Sequence, residues 1–182
     1  MSLEHLRALM RTYVPGRRVL IKDEAAAARR DKVPQGVTEG LILKVIPLPI
    51  MSVPLPSENL QPFRFGVEVE IETAPGSYDT LIVETSDVEL RPLSLDELRR
   101  DLWHRQVNFP RSRGIGIDFP PGSGDYGIID DADFRTGDDG MEDLHVSLRV
   151  AVDPSVNPNG INTFYVEADF IQCVLIQRKP SV

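Results

Sequence analysis

Two stretches in the second half of the chain alternate strictly. Leu144, Val146, Leu148, Val150 and Val152 alternate with His145, Ser147, Arg149 and Ala151. After a link containing Pro154, Pro158 and Asn159-Gly160, Phe164, Val166, Ala168 and Phe170 alternate with Tyr165, Glu167 and Asp169. A period of two gathers one set of side chains on a single face of an extended strand, whereas a helix would scatter them round its axis. The two stretches with their Asn-Gly turn therefore predict a long antiparallel hairpin. Ile171 to Ile176 continues it after a change of phase, which predicts a bulge near Phe170-Ile171.

The same period governs the first half. Phe63, Phe65, Val67, Val69 and Ile71 alternate with Arg64, Gly66, Glu68, Glu70 and Glu72, so one face is expected to be buried and the glutamate face wet. Ala74-Pro75-Gly76-Ser77 reads as a turn, and Thr80 to Glu84 as the returning partner. Arg18 to Lys22, Leu41 to Ile46 and Val88 to Leu90 are three further short strands. A polar excursion from Asp23 to Pro34, with a helical turn at Ala25–Ala28, separates the first two. A loop carrying Pro47, Pro49, Pro54, Pro56 and Pro62 precedes the alternating strand, and that proline density excludes a central strand there. Five short strands joined by one long excursion, one proline-rich loop, one tight hairpin and one short turn resemble an SH3-like small barrel over residues 16–92. Such barrels serve protein binders, nucleic-acid binders and structural modules alike, so the resemblance implies a fold and no particular function.

Helical signals are confined to two places. Leu3, Leu6, Leu9 and Met10 lie on one helical face behind a Ser2 N-cap, which predicts a helix over about 2–13 that lids the core. Ser94-Leu95-Asp96-Glu97 is a capping box, and Leu95, Leu98, Leu102 and Trp103 follow as a stripe, predicting a helix over about 95–104. Residues 106–143, punctuated by glycines and by Pro110, Pro120 and Pro121, read as irregular, with Ile128-Ile129 no more than an edge strand. The expected fold class is thus mainly β: an SH3-like small barrel plus a C-terminal antiparallel hairpin, with two short helices. The expected organisation is a helix at 1–15, the barrel at 16–92, and a linking helix, glycine- and aspartate-rich loop and hairpin at 93–182, packed as one compact unit.

Fifteen prolines and 13 glycines in 182 residues agree with a loop-rich β protein. Twenty Lys and Arg against 28 Asp and Glu give a net charge of −8, a poor balance for general nucleic-acid binding. No apolar run approaches a membrane span, and the N-terminus lacks the continuous apolar stretch of a signal peptide. Cys173 is the only cysteine, so no internal disulfide forms, and the thiol reads as buried and inert. These features point to residence in a reducing cytoplasm, without membrane attachment.

Motifs for chemistry fail on context. Gly122-Ser123-Gly124-Asp125-Tyr126-Gly127 has the letters of a dinucleotide motif, but Pro120-Pro121 stands where a strand is needed and Ile128-Ile129 where a helix is needed. Asp131, Asp133, Asp139 and Glu142 occupy calcium-loop positions one, three, nine and twelve. Arg135 and Thr136 spoil the fifth and sixth, which excludes an EF-hand and leaves those four as candidates for a looser calcium site. His5, His104 and His145 fall in separate elements with no nucleophile motif beside them. Glu68 and Glu70, about 7 Å apart on one strand face, read as a row of solvated carboxylates.

Two charged groups remain. Arg99, Arg100, Arg105, Arg111 and Arg113 surround Trp103, His104 and Phe109; Asp130, Asp131, Asp133, Asp138 and Asp139, with Glu142 and Asp143, form an acidic loop. Opposite charge in separate segments permits head-to-tail contact between copies. The sequence therefore points to a non-enzymatic structural or protein-interaction subunit of a homo- or hetero-oligomeric assembly, with a virus or bacteriophage particle as one setting and with no cofactor. Arg99, Arg100, Trp103, Arg105, Arg111, Arg113 and the aspartates are its expected contact residues. A nucleic-acid module using the arginine-rich helix is the second reading, and an enzyme drawing on residues 104–145 the third.

Overall fold

The computed structural model describes residues 3–23, 39–48, 64–108, 126–152, 154–155, 158–167 and 175–177. The excursion at Ala25–Ala28, most of the proline-rich loop, Phe109, Arg111, Arg113, the start of the Gly122 motif, the Phe170–Ile171 bulge and Cys173 lie outside them. The protein is mainly β, with two antiparallel sheets and two α-helices among the described residues. The chain divides into two compact units, one of residues 1–13 and 17–92, the other of residues 14–16 and 93–182.

In the first unit, α1 (Leu3–Thr12) precedes β1 (Arg18–Ile21), β2 (Glu39–Pro47), β3 (Phe65–Ala74), β4 (Ser77–Glu84) and β5 (Val88–Leu90). A one-turn 3-10 helix, Thr85–Asp87, joins β4 to β5. The strands form one antiparallel sheet in the order β4-β3-β2-β1-β5. The sheet is open, with β4 and β5 as its edges, so the closure that a barrel requires is not made among the described residues. Its core gathers Val19, Ile21, Ile42, Val67, Val69 and Ile71 from the inner strands and Leu81, Val83 and Val88 from the edges. The β3–β4 turn follows from its residues: Pro75 presets one φ and Gly76 takes φ +76°.

Two details depart from simple alternation. A bulge between Ile42 and Lys44 lets Leu41, Ile42 and Leu43 all be buried. The expected wet face of β3 is also partly covered: Glu70 is only 8% exposed, while Glu68 pairs with Lys44 at 2.8 Å. At the end of α1, Arg17 donates to Thr12 O at 2.8 Å and Arg91 O at 3.1 Å, holding the helix C-terminus where a cation is favoured. Burial pushes the Arg17 guanidinium below its ordinary pKa, and Tyr13 acts in the opposite sense.

In the second unit, α2 (Leu95–Leu102) leads into β6 (Gln106–Asn108), β7 (Tyr126–Thr136), β8 (Glu142–Ala151), β9 (Ile161–Glu167) and β10 (Leu175–Gln177). The antiparallel order is β10-β6-β7-β8-β9. The expected hairpin is β8–β9. Leu175–Gln177 does not extend it; that segment pairs with β6 on the other side of the sheet. The larger correction concerns residues 106–143. Instead of an irregular stretch they contain β6, the 11-residue β7 and the start of β8, and Ile128-Ile129 lies inside β7, between β6 and β8. The register slips between Ile129 and Asp131, so Asp130 is an extra residue that breaks the alternation. Aspartate is also a poor strand former, which hid the element. Val14, Leu98, Leu102, Ile129, Leu144 and Leu148 are among the residues of this unit's core.

Candidate functional site

The charged segments meet where α2 lies along β7. Ser94 caps α2 as its sequence foretells, its hydroxyl accepting the Glu97 amide at 3.4 Å. Leu98 and Leu102 are each 1% exposed in the core, which turns Arg99 toward the sheet edge. β6 pairs with β7 only as far as Ile128. Beyond it, His104 N donates to Ile129 O and Ile129 N to Arg105 O, each at 2.9 Å. Side chains then take over. Arg99 Nε donates to Ala132 O at 2.7 Å and meets Asp131 Oδ1 at 3.1 Å, while its Nη2 is 3.7 Å from Asp133 Oδ1. The same carboxylates accept backbone amides: Asp131 from Ala132 at 2.8 Å and Asp133 from Phe134 at 3.0 Å.

An exposed strand edge offers unpaired amides and carbonyls to any other chain. Here two aspartates and one arginine occupy that edge. Arg99, Asp131 and Asp133, expected as separate contact residues on copies meeting head to tail, are partners within one unit. Arg99→Ala is expected to lower stability by about 1 kcal/mol, since the ion pairs are half exposed and the lost bond to Ala132 O is the main term. Urea denaturation measures that loss. Gel filtration is expected to show concentration-dependent association of the variant as the edge opens.

Of the other arginines expected as contact residues, Arg100 and Arg105 are among the described residues, and neither joins this cluster. Arg105 is 4% exposed and donates from Nε to Asp101 O. Arg100 lies 3.6 Å from Asp101 and 4.0 Å from Glu97. Asp138 and Asp139 are exposed in the β7–β8 turn, where Asp139 Oδ1 accepts the Met141 amide at 3.0 Å and Gly137 N donates to Met141 O. Glu142 opens β8 opposite Thr136. Asp131, Asp133, Asp139 and Glu142 are therefore strung along a hairpin, and among the described residues no three His, Cys, Asp or Glu side chains form a metal-holding group.

Trp103 departs from the expected stripe. It caps the C-terminus of α2, its amide donating to Arg99 O at 2.9 Å, and its side chain is 58% exposed. Its ring stacks on His104, with centroids 3.9 Å apart and planes at 26°. His104 takes φ +61°, a left-handed conformation uncommon outside glycine, which ends the helix and swings the imidazole under the indole. Arg149 Nη2 lies 3.5 Å from His104 Nε2 and 3.1 Å from Asp130 Oδ1, and its buried Nε has no hydrogen-bond partner. Trp103, His104, Arg149 and Asp130 thus form one contiguous surface. Arg149 escaped the sequence reading because only the strand register brings it beside the bulge at Asp130.

Comparison with protein-family models, with curated proteins and with solved structures finds no match to this chain.

Proposed function

We propose that this protein is a non-enzymatic interaction subunit of a larger assembly, and that Trp103 is the centre of one docking surface. The observation carrying this reading is an exposed tryptophan, the only one in the chain, held in place by a stacked histidine. Exposed tryptophan and arginine side chains are the types that dominate binding energy at protein interfaces. A tryptophan already fixed by its neighbour loses less freedom on docking. Covering its remaining surface, on the order of 100 Å², is worth about 2–3 kcal/mol.

The first unit is read as an SH3-like module. The order β4-β3-β2-β1-β5, the tight β3–β4 hairpin and the one-turn 3-10 link to β5 support that reading. A virus or bacteriophage particle is the proposed setting, by analogy with other disulfide-free β proteins rich in loops. The pairing of Arg99, the burial of Arg105 and the net charge of −8 count against the nucleic-acid reading. Among the described residues no helix is long and apolar enough to cross a membrane.

In its source extract the wild-type chain is expected to co-sediment with a particle much larger than itself. Trp103→Ala is expected to leave the chain in the slow fraction while its urea midpoint falls only slightly. A wild-type chain that sediments alone at every salt and protein concentration refutes the proposal.

A further inference from the structure

The two sheets treat their exposed edges differently. Past β6, the edge of β7 is occupied by Arg99, Asp131 and Asp133. The outer edge of β4 is left open. Among the described residues no strand or loop bonds to it from Asp79 to Glu84, and only the Thr80 amide is taken, by Asp79 Oδ1 at 2.7 Å. Asp79 to Glu84 spans roughly 20 Å at strand rise, with alternate residues turned outward, enough to seat one added strand. Tyr78 and Ile82, four apart and on one face, are 39% and 45% exposed, while Leu81 and Val83 on the other face are buried.

Charge limits the occupant. Glu72, Asp79 and Glu84 surround this edge. Arg64 pairs with Glu84, but among the described residues no cation reaches Glu72 or Asp79; Glu72 Oε1 accepts only the Gly76 amide and the Tyr78 hydroxyl. A second copy of β4 would bring carboxylates and no cation. We propose that the β4 edge receives an extended segment of a different protein by strand addition. That segment carries apolar side chains to lie beside Tyr78 and Ile82, and lysine or arginine to meet Asp79 and Glu72. β4 and Trp103 belong to different units of the chain, and this test does not depend on Trp103.

The probe is a peptide of about nine residues alternating lysine and valine. It is titrated into the whole isotope-labelled chain and followed by amide chemical shifts. Shifts are expected to concentrate in residues 77–84. Binding is expected to weaken about tenfold when the valine amides are N-methylated, which keeps the charge and removes the edge hydrogen bonds. A similar loss is expected for Ile82→Lys and for Asp79→Lys, both at exposed positions that leave the fold intact. The proposal is overturned by equal binding of the methylated peptide, by equal binding to both variants, or by no binding at millimolar peptide. It is equally overturned if the free chain dimerises through β4, which would make a second copy the occupant.

Discussion

Gly40→Ala is expected to destabilise the protein by about 3 kcal/mol, through overpacking at a site with no room to relax. Gly40 lies in β2 opposite Val19. A Cβ there would stand 2.2 Å from Val69 Cγ1, 3.1 Å from Glu70 O and 3.3 Å from Ile71 Cγ2. Val69 is 0% exposed and β-branched, so its methyl cannot rotate away cheaply, and the carbonyl belongs to β3, an inner strand hydrogen-bonded on both sides. Alanine's better fit to extended backbone returns less than about 1 kcal/mol of this. The urea midpoint is expected to fall with an unchanged slope. Adding Val69→Ala is expected to relieve the clash, so the double variant should be more stable than the two single losses predict. A neutral Gly40→Ala would mean that β2 and β3 are not packed in this register.

The second large effect is expected at Leu102. Truncation to alanine removes a side chain that is 1% exposed in the core of the second unit and leaves a cavity beneath α2. A loss of about 3 kcal/mol is expected, in the usual range for buried leucine. The adjacent residue gives the contrast. Trp103→Ala, although it deletes a larger side chain, is expected to cost under about 1 kcal/mol, because most of that side chain is already in water. Equilibrium unfolding of both variants separates the two roles. If Trp103→Ala proved as damaging as Leu102→Ala, the indole would be a core residue rather than a docking one.

The elements that the sequence announces are those whose local rules agree with their tertiary role. β3 and β8 keep period two with their apolar positions buried, β9 pairs with β8 in the expected hairpin, Pro75-Gly76 turns the first hairpin, and Ser94 caps α2. β7 was hidden because one extra residue, Asp130, shifts the phase and because its aspartates belong to a strand edge rather than to a loop. Glu70 lies on the polar side of β3 yet is buried, since alternation assigns a face and not the depth of cover above it. At the candidate site, Trp103 and the arginine group stand out by composition. That Arg99 faces Asp131 across a helix–strand boundary, and that Arg149 reaches His104, depends on contacts between segments about 30 to 45 residues apart, which no local pattern encodes.

The central claim is that the exposed indole is covered when the protein does its work. Because Trp103 is the chain's only tryptophan, an analogue with red-shifted absorption such as 7-azatryptophan incorporated there, in labelled chain added to the extract, reports on this surface apart from the tryptophans of partner proteins. Acrylamide quenching should be strong for the purified chain and should fall sharply, with a blue-shifted emission, in the fast-sedimenting species from the source extract. Equal quenching and the same emission in both forms would contradict the claim: the tryptophan would still be facing water inside the assembly, and the contact surface would lie elsewhere.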